Sequence, residues 1–312
     1  MIFEIMIGII SAAIPLSITF VLVGIGEMFN QRAGVYNLGA EGIMMVGAFL
    51  GFYVEYVMQS GPGSSFLGML AAIAVGALMG GLMGLVCVKF KAEQGIAGIA
   101  LYMLGWGIAG MLFRVYIGGT TSIEGLKAIE FPLLTDIPVL GPLLFSHNVM
   151  VYITLLIVPF SWYLLNKTAW GLKVKAVGTA PRAADTMGVK VDRTRIQCVV
   201  LAGAMAGLAG AYLSICQTHM YADNITAGRG FIAVALVYFG KWKPSGILFG
   251  ALLFSLAHSF QRSIQVYGID FPYEVAVVFP YLLVIVVLAL SGRSNVMAPA
   301  VLGKPYYREL RD

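Results

Sequence analysis

The chain has 312 residues, 59% of them hydrophobic and only 11% charged. Soluble domains carry about 45–50% apolar and about 25% charged residues, so a disordered chain, a coiled coil and an ordinary cytosolic enzyme are excluded and an integral membrane protein remains. The net charge of +5 comes from basic residues lying between apolar runs, which suits orientation in a membrane better than binding of a nucleic acid polymer.

In chain order the apolar runs fall near 5–26, 36–57, 66–88, 97–116, 149–165, 196–217, 230–242, 244–260 and 273–291. A spanning helix needs ~20 apolar residues. The runs therefore predict an all-α, polytopic transmembrane helix bundle of about nine spans, with about eight to ten as the range. The run at 230–242 is short and suits a half-helix or a buried span. Nine spans use about 180 residues, which leaves no stretch for a soluble domain of ~100–150 residues. Residues 1–312 thus read as a single transmembrane domain. The start, Met1-Ile2-Phe3-Glu4, has no basic region and a long apolar run behind it, so a retained first helix is expected. Cys87, Cys198 and Cys216 lie in or beside apolar runs and read as buried thiols, with no disulfide frame and no metal site.

Segment 166–195 holds seven basic residues: Lys167, Lys173, Lys175, Arg182, Lys190, Arg193 and Arg195. Placing it in the cytoplasm and alternating outward puts nine more on that side: Arg32, Lys89, Lys91, Lys241, Lys243, Arg293, Lys304, Arg308 and Arg311. That is 16 of the 20 Lys and Arg residues. The imbalance predicts an outside N-terminus and an inside C-terminus, with a cytoplasmic tail at 292–312. The longest outer loop, about 117–148, reads as a surface element on the membrane, a docking site for a partner, or a plain connector.

Gly76, Gly80 and Gly84 repeat every four residues, as do Gly47 and Gly51, Gly203 and Gly207, and Gly246 and Gly250. Small residues at this spacing let helix backbones approach closely, so a tight bundle is expected; helices that slide on these faces are the alternative. Pro15, Pro159 and Pro280 fall inside apolar runs and favour kinks. Residues 39–49 and 228–240 share a glycine-led apolar start and run in opposite directions, the pattern of an inverted repeat.

The sequence carries no G-x-x-x-x-G-K-[ST] loop, no H-E-x-x-H and no G-x-S-x-G, and His147, His219 and His258 are far apart. A non-catalytic protein is the reading. Ionisable residues inside apolar runs are costly and usually functional. Glu41, Glu55 and Glu274 qualify. Glu55 and Glu274 are expected near the outer interface. If the second helix starts at Val35, Glu41 lies about two turns in. It then needs a partner such as Arg32, or a helix break, for which Asn37 to Gly42 supplies an Asn and two glycines. Pairing, capping and a place in the permeation path are its three roles. No chain of intramembrane carboxylates and histidines is present, which disfavours an ion-driven carrier.

In segment 166–195, Thr179 reads as an N-cap and Pro181 as a first-turn residue. Ala183, Ala184 and Met187 then form a short helix, flanked by basic residues, and Gly188 ends it. Its small apolar face fits a groove on a partner or anionic lipid.

The run Gly26-Glu27-Met28-Phe29-Asn30-Gln31-Arg32-Ala33-Gly34-Val35-Tyr36-Asn37-Leu38-Gly39-Ala40-Glu41-Gly42 resembles the signature GE-x4-RxGVxNLGxEG of bacterial ABC-transporter permeases for nucleosides and simple sugars, the branched-chain amino acid and ribose type. Trp170-Gly171-Leu172, Ala176-Val177-Gly178, Pro181, Ala184 and Met187-Gly188 resemble that family's cytoplasmic coupling loop. Gly228 to Ala233, Gly240 to Gly246 and the tail Pro299 to Tyr306 also match, in order along nearly the whole chain, and the nucleoside branch is the most similar. The resemblance implies a permease that pairs with a second, related permease, in a heterodimer or a homodimer. It implies two ATP-binding subunits on the cytoplasmic side and an outer substrate-binding protein or lipoprotein that delivers a small solute. ATP would be bound by the partners, and this chain would hold no cofactor. The setting implied is the bacterial plasma (inner) membrane. Residues Thr179, Pro181, Arg182, Ala183, Ala184, Met187 and Gly188 would couple to the ATPases. The general coupling motif EAAxxxG is kept here only as AAxxxG, with Arg182 in place of the glutamate and no LP after Ile196. The translocation pathway is expected along Asn37, Glu41, Tyr102, Trp106 and Phe231. An autonomous ion-coupled carrier or channel is the alternative, and a lipid or sugar transferase a third reading.

Overall fold

The computed structural model describes residues 2–59, 61–119, 121–129, 141–266, 272–291 and 298–308. Helix α1 spans Ile2–Arg32, α2 Ala40–Val57, α3 Ser64–Gly84, α4 Gln94–Tyr116 and α5 Val149–Lys167. Then follow α6 (Ala169–Thr179), α7 (Pro181–Thr186), α8 (Val191–Ala211), α9 (Arg229–Phe239), α10 (Pro244–Val266) and α11 (Tyr273–Ser291). Two of them continue as π-helical turns, α3 through Leu85–Lys89 and α8 through Tyr212–Thr218. Each apolar run of the sequence carries a helix, although residues 36–39 precede α2 and residues 240–242 follow α9. Among the described residues, seven helices are long and apolar enough to cross a membrane. The short run at 230–242 gives α9, whose 11 residues reach only about 16 Å at 1.5 Å per residue, the length of a half-helix.

Helix α8 is the centre of the bundle, in contact with α1, α2 and α3. The glycine stripes are what bring the backbones together. A Cβ on Gly76 would strike the Gly203 carbonyl, one on Gly207 the Ala72 carbonyl, and one on Gly47 would lie 2.5 Å from the Gly207 carbonyl oxygen. In the same way Gly246 lies on the Gly240 backbone and Gly250 on the Phe239 ring. Pro15, Pro159 and Pro280 lie within α1, α5 and α11. The three thiols are buried and free. Helix α4 starts at a built cap: the Glu93 carboxylate accepts from the Gly95 and Ile96 amides at 2.9 and 2.6 Å.

The segments assigned to the cytoplasm meet on one face. Arg32 donates to the Trp242 carbonyl at 3.0 Å, and Lys91 pairs with Asp192 at 3.1 Å. Arg195 is buried rather than a surface charge, only 2% exposed. Its Nε donates to the Ala33 carbonyl at 3.1 Å and its Nη1 to the Lys304 carbonyl at 3.0 Å. The tail is thereby strapped to this face. Gly303 N donates to Gly34 O, Val301 N to Gly178 O, and the Tyr306 hydroxyl to Asp185 at 3.1 Å. Gly34 must be glycine, because its φ is +92° and a Cβ would meet the Arg195 guanidinium.

The opposite face gathers the outer segments. Gly125 N donates to Glu55 at 2.9 Å, Ser122 bridges to Met220, and Arg114 pairs with Asp223 at 3.6 Å. Of the outer loop 117–148, residues 120 and 130–140 lie outside the described residues, as do residues 292–297 and 309–312 of the tail, including Arg293 and Arg311.

Candidate functional site: two helices that begin head to head

The signature run builds an interruption rather than a continuous helix. Helix α1 ends at Arg32, and residues 33–39 are non-helical but mostly buried. Their backbone polar groups need partners inside the protein. Glu27, 1% exposed, supplies one: its carboxylate accepts from the Asn37 amide at 2.9 Å and from the Asn30 side chain at 3.1 Å. Asn37 closes a turn by accepting the Gly39 amide at 2.8 Å. Only then does α2 begin, at Ala40. Glu41 is therefore in the first turn of α2, not two turns deep as a start at Val35 would have placed it. Five residues of the expected helix are used instead to climb back from the cytoplasmic face.

A second interruption meets the first. Residues 219–228 are non-helical and lead from the end of α8 to the start of α9. Gly228, at φ +81°, is the N-cap of α9 but offers no side-chain cap. Glu41 provides it from another helix. Its carboxylate accepts from the Thr226 hydroxyl at 2.6 Å, the Gly228 amide at 2.7 Å and the Gly230 amide at 2.5 Å. These amides are free helix-end donors, and a carboxylate is favoured at an N-terminus by the helix dipole. Gly230 lets the two chains close up, since a Cβ there would lie 2.7 Å from the Glu41 Cα. The helix break, not Arg32, thus answers the cost of burying Glu41. Arg32 is engaged with Trp242.

Helix α4 runs beside this junction. A Cβ on Gly42 would lie 2.7 Å from the Tyr102 Cα, and one on Gly105 would strike the Gly42 carbonyl. The Tyr102 and Phe231 rings meet edge to face, centroids 5.1 Å apart. Trp106, one turn beyond Tyr102, is 47% exposed. The five pathway candidates therefore fall in two groups. Asn37 and Glu41 are buried, Asn37 accepting the Gly39 amide and Glu41 the Thr226 hydroxyl and the Gly228 and Gly230 amides. Tyr102 packs on the core and meets the Phe231 ring, and Phe231 and Trp106 are partly exposed.

Two acidic residues, Glu27 and Asp223, are not marked as functional by the local sequence pattern. Glu27 lies just past the first apolar run, and extending that run through Arg32 places it inside α1. Glu55 lies with the outer segments, as its place near the end of the second run predicts, and is fully buried there, accepting from the Gly125 amide. Glu274 lies in the first turn of α11, at the expected end. Asp223 was not singled out at all.

On the face that gathers Arg32, Lys91 and Arg195, Pro181 opens α7 at its first position, and Gly188, at φ +83°, ends it. Thr179 is not its N-cap. It is the last residue of α6, and its hydroxyl donates to the Lys175 carbonyl at 2.9 Å. Ala180 takes the cap position, with φ −144° and ψ 77°. A residue before proline is kept out of the α region, which moves the break one residue along. Ala184 is buried with Val177, Val191 and Tyr306. Arg182 and Ala183 are exposed, and Met187 is 84% exposed.

A bundle of membrane-crossing helices with two interruptions meeting inside it is the architecture of a solute permease. The family described as branched-chain amino acid transport system / permease component matches residues 9–288, and the chain belongs to it. A guanosine ABC transporter permease of Bacillus subtilis is 34% identical over 98% of this chain and 99% of its own. A nucleoside ABC transporter permease of Lactococcus lactis is 32% identical over 94% of each chain. A chain of Haloferax volcanii, provisionally named as a glucose ABC transporter permease, is 38% identical over 83% of this chain and 78% of its own. No solved structure matches. The protein is accordingly a non-catalytic, multi-pass permease subunit of an ABC transporter in the plasma (inner) membrane. Its family works with ATP-binding subunits and a substrate-binding protein.

Proposed function

We propose that this chain forms one half of the translocation pathway of an importer for nucleosides, with simple sugars as the neighbouring substrate class. The observation that carries this is the aromatic wall of Tyr102, Trp106 and Phe231 on α4 and α9, open beside the Glu41 junction. Aromatic faces stack on bases and on the apolar faces of sugars. Two relatives named for nucleosides and one named for a sugar support the same range. An open wall in a single chain also supports a facing half, a second and related permease in a heterodimer. The segment 166–195 is the docking element for the ATPases. Pro181, Arg182, Ala183, Ala184, Met187 and Gly188 present α7 to them, and Thr179 fixes the end of α6 beneath it. ATP is bound by those partners and no cofactor by this chain.

The test is uptake in proteoliposomes carrying both permeases, the ATPases and the binding protein. Labelled uridine should accumulate only with ATP. Accumulation of glucose but not of any nucleoside would overturn the substrate, and ATP-independent uptake by this chain alone would overturn the class.

A further inference from the structure

Tyr102, Trp106, Gly110 and Arg114 are spaced by four and therefore share one stripe of α4. Twelve residues rise about 18 Å, so the stripe runs from the Glu41 junction to the outer face. Segment 219–231 flanks it along the same course, Phe231 at the bottom against Tyr102 and Asp223 at the top against Arg114. Between them lies a cleft of 390 Å³ lined by Trp106, Gly107, Gly110, Arg114 and Asp223, among others. That volume is within the range of small-ligand sites, about 300–1,000 Å³.

The chemistry of this cleft is specific. Arg114 and Asp223 are 76% and 45% exposed and stand 3.6 Å apart. Arg114 is in the last turn of α4, so the pair stands at the outer end of the helix, in water-accessible space. Gly110 lies beside the carboxylate, and a Cβ there would be in ordinary contact with Asp223 Oδ1, at 3.5 Å. The pair is neutral overall, so it favours no net charge on a solute. A carboxylate has about four acceptor positions, and one ion pair at this distance leaves most of them open. Two neighbouring hydroxyls can each donate to one carboxylate oxygen. Trp106, two turns below Arg114, offers an indole face to whatever flat group the diol carries.

We infer that the cleft between α4 and residues 219–228 is an outer solute subsite that takes a neutral molecule bearing a vicinal diol and a flat ring. Asp223 accepts the two hydroxyls, Arg114 holds the carboxylate in place, and Trp106 stacks on the ring. The inference rests on the nucleoside reading above and adds to it a selection for the ribose diol made by the permease itself, separate from the binding protein.

The experiment uses the assembled permease–ATPase complex without nucleotide and without the binding protein, titrated with tritiated uridine and tritiated 2′,3′-dideoxyuridine. Two hydrogen bonds to a charged group distinguish the ligands, so wild type should bind uridine at least about tenfold more tightly than the dideoxy form. Asp223→Asn should bind the two alike. Trp106→Ala should weaken both by a similar factor and keep the preference. Equal binding of the two nucleosides by wild type, or an intact preference in a monodisperse Asp223→Asn complex, would overturn the subsite. So would ATP-driven uridine uptake by the complete transporter when the complex alone binds neither, which leaves the nucleoside reading standing. If the complete transporter takes up no nucleoside, it is the nucleoside reading that has failed.

Discussion

Two surfaces of the same bundle are built from small and aromatic residues in opposite ways. Where α3 meets α8, Gly76, Gly203 and Gly207 bring backbone onto backbone and leave no room for a methyl group. Where α4 and α9 meet, Tyr102, Trp106 and Phe231 are large and their faces are only partly covered. In lipid there is no hydrophobic gain from burying one apolar side chain against another helix, so cohesion comes from close van der Waals approach. The α3–α8 seam has that cohesion and can serve as the fixed frame. The α4–α9 face lacks it, and under the proposed function its aromatics are the ones that meet a solute.

That contrast can be broken at the seam first. Gly76→Val should cost about 3 kcal/mol or more through overpacking against the Gly203 carbonyl, seen as loss of monodisperse protein in detergent and a sharply lowered Tm. Glu41→Ala leaves two amides and a hydroxyl without their acceptor. It should cost about 2–3 kcal/mol in thermal unfolding, and Glu41→Gln about half of that, since one oxygen still accepts. On the open face the balance reverses. Trp106→Ala should change stability by no more than about 0.5 kcal/mol yet lower uridine uptake about fivefold at subsaturating substrate, the value of one stacking contact. A drop in Tm as large as that of Glu41→Ala would mean the wall is packing after all.

The smallest effect concerns Glu93, which is fully exposed. The Ile96 and Gly95 amides that it accepts hold its carboxyl below the usual 4.5. A carboxyl depressed in the folded protein stabilises it above the unfolded-state value and loses that contribution as pH falls through the folded one. Wild type should therefore exceed Glu93→Gln slightly in Tm from pH 5 to 7, the gap closing only below about pH 4.5. A gap that persists unchanged at pH 3 would show that the cap does not depend on charge.

Helix identity and order were legible because apolar runs of spanning length are local signals. So were the glycine seams, whose period is visible without a partner. The interruption at Asn37 to Gly42 was legible as a possibility, but its position was not. The groups that fix it, the Thr226 hydroxyl and the Gly228 and Gly230 amides, lie 185–189 residues away. No local pattern marks such a distance. The same applies to Asp223, which reads as a loop residue until α4 brings Arg114 to it. Thr179 failed differently. A local rule about capping was applied where a stronger local rule, the restriction on Ala180 before Pro181, governs.

Arg195 also carries a consequence for how the protein is made. Helix α8 is synthesised and inserted with a guanidinium destined for burial, yet one of the carbonyls that receives it, at Lys304, lies 109 residues downstream. At about 5–20 residues per second that acceptor emerges roughly 5–20 s later. During this interval α7 lacks Tyr306 and the strap across Gly34 and Gly178. The face that carries this strap is therefore fastened only after α9 to α11 have been made, and a chain stalled before Lys304 would leave it open.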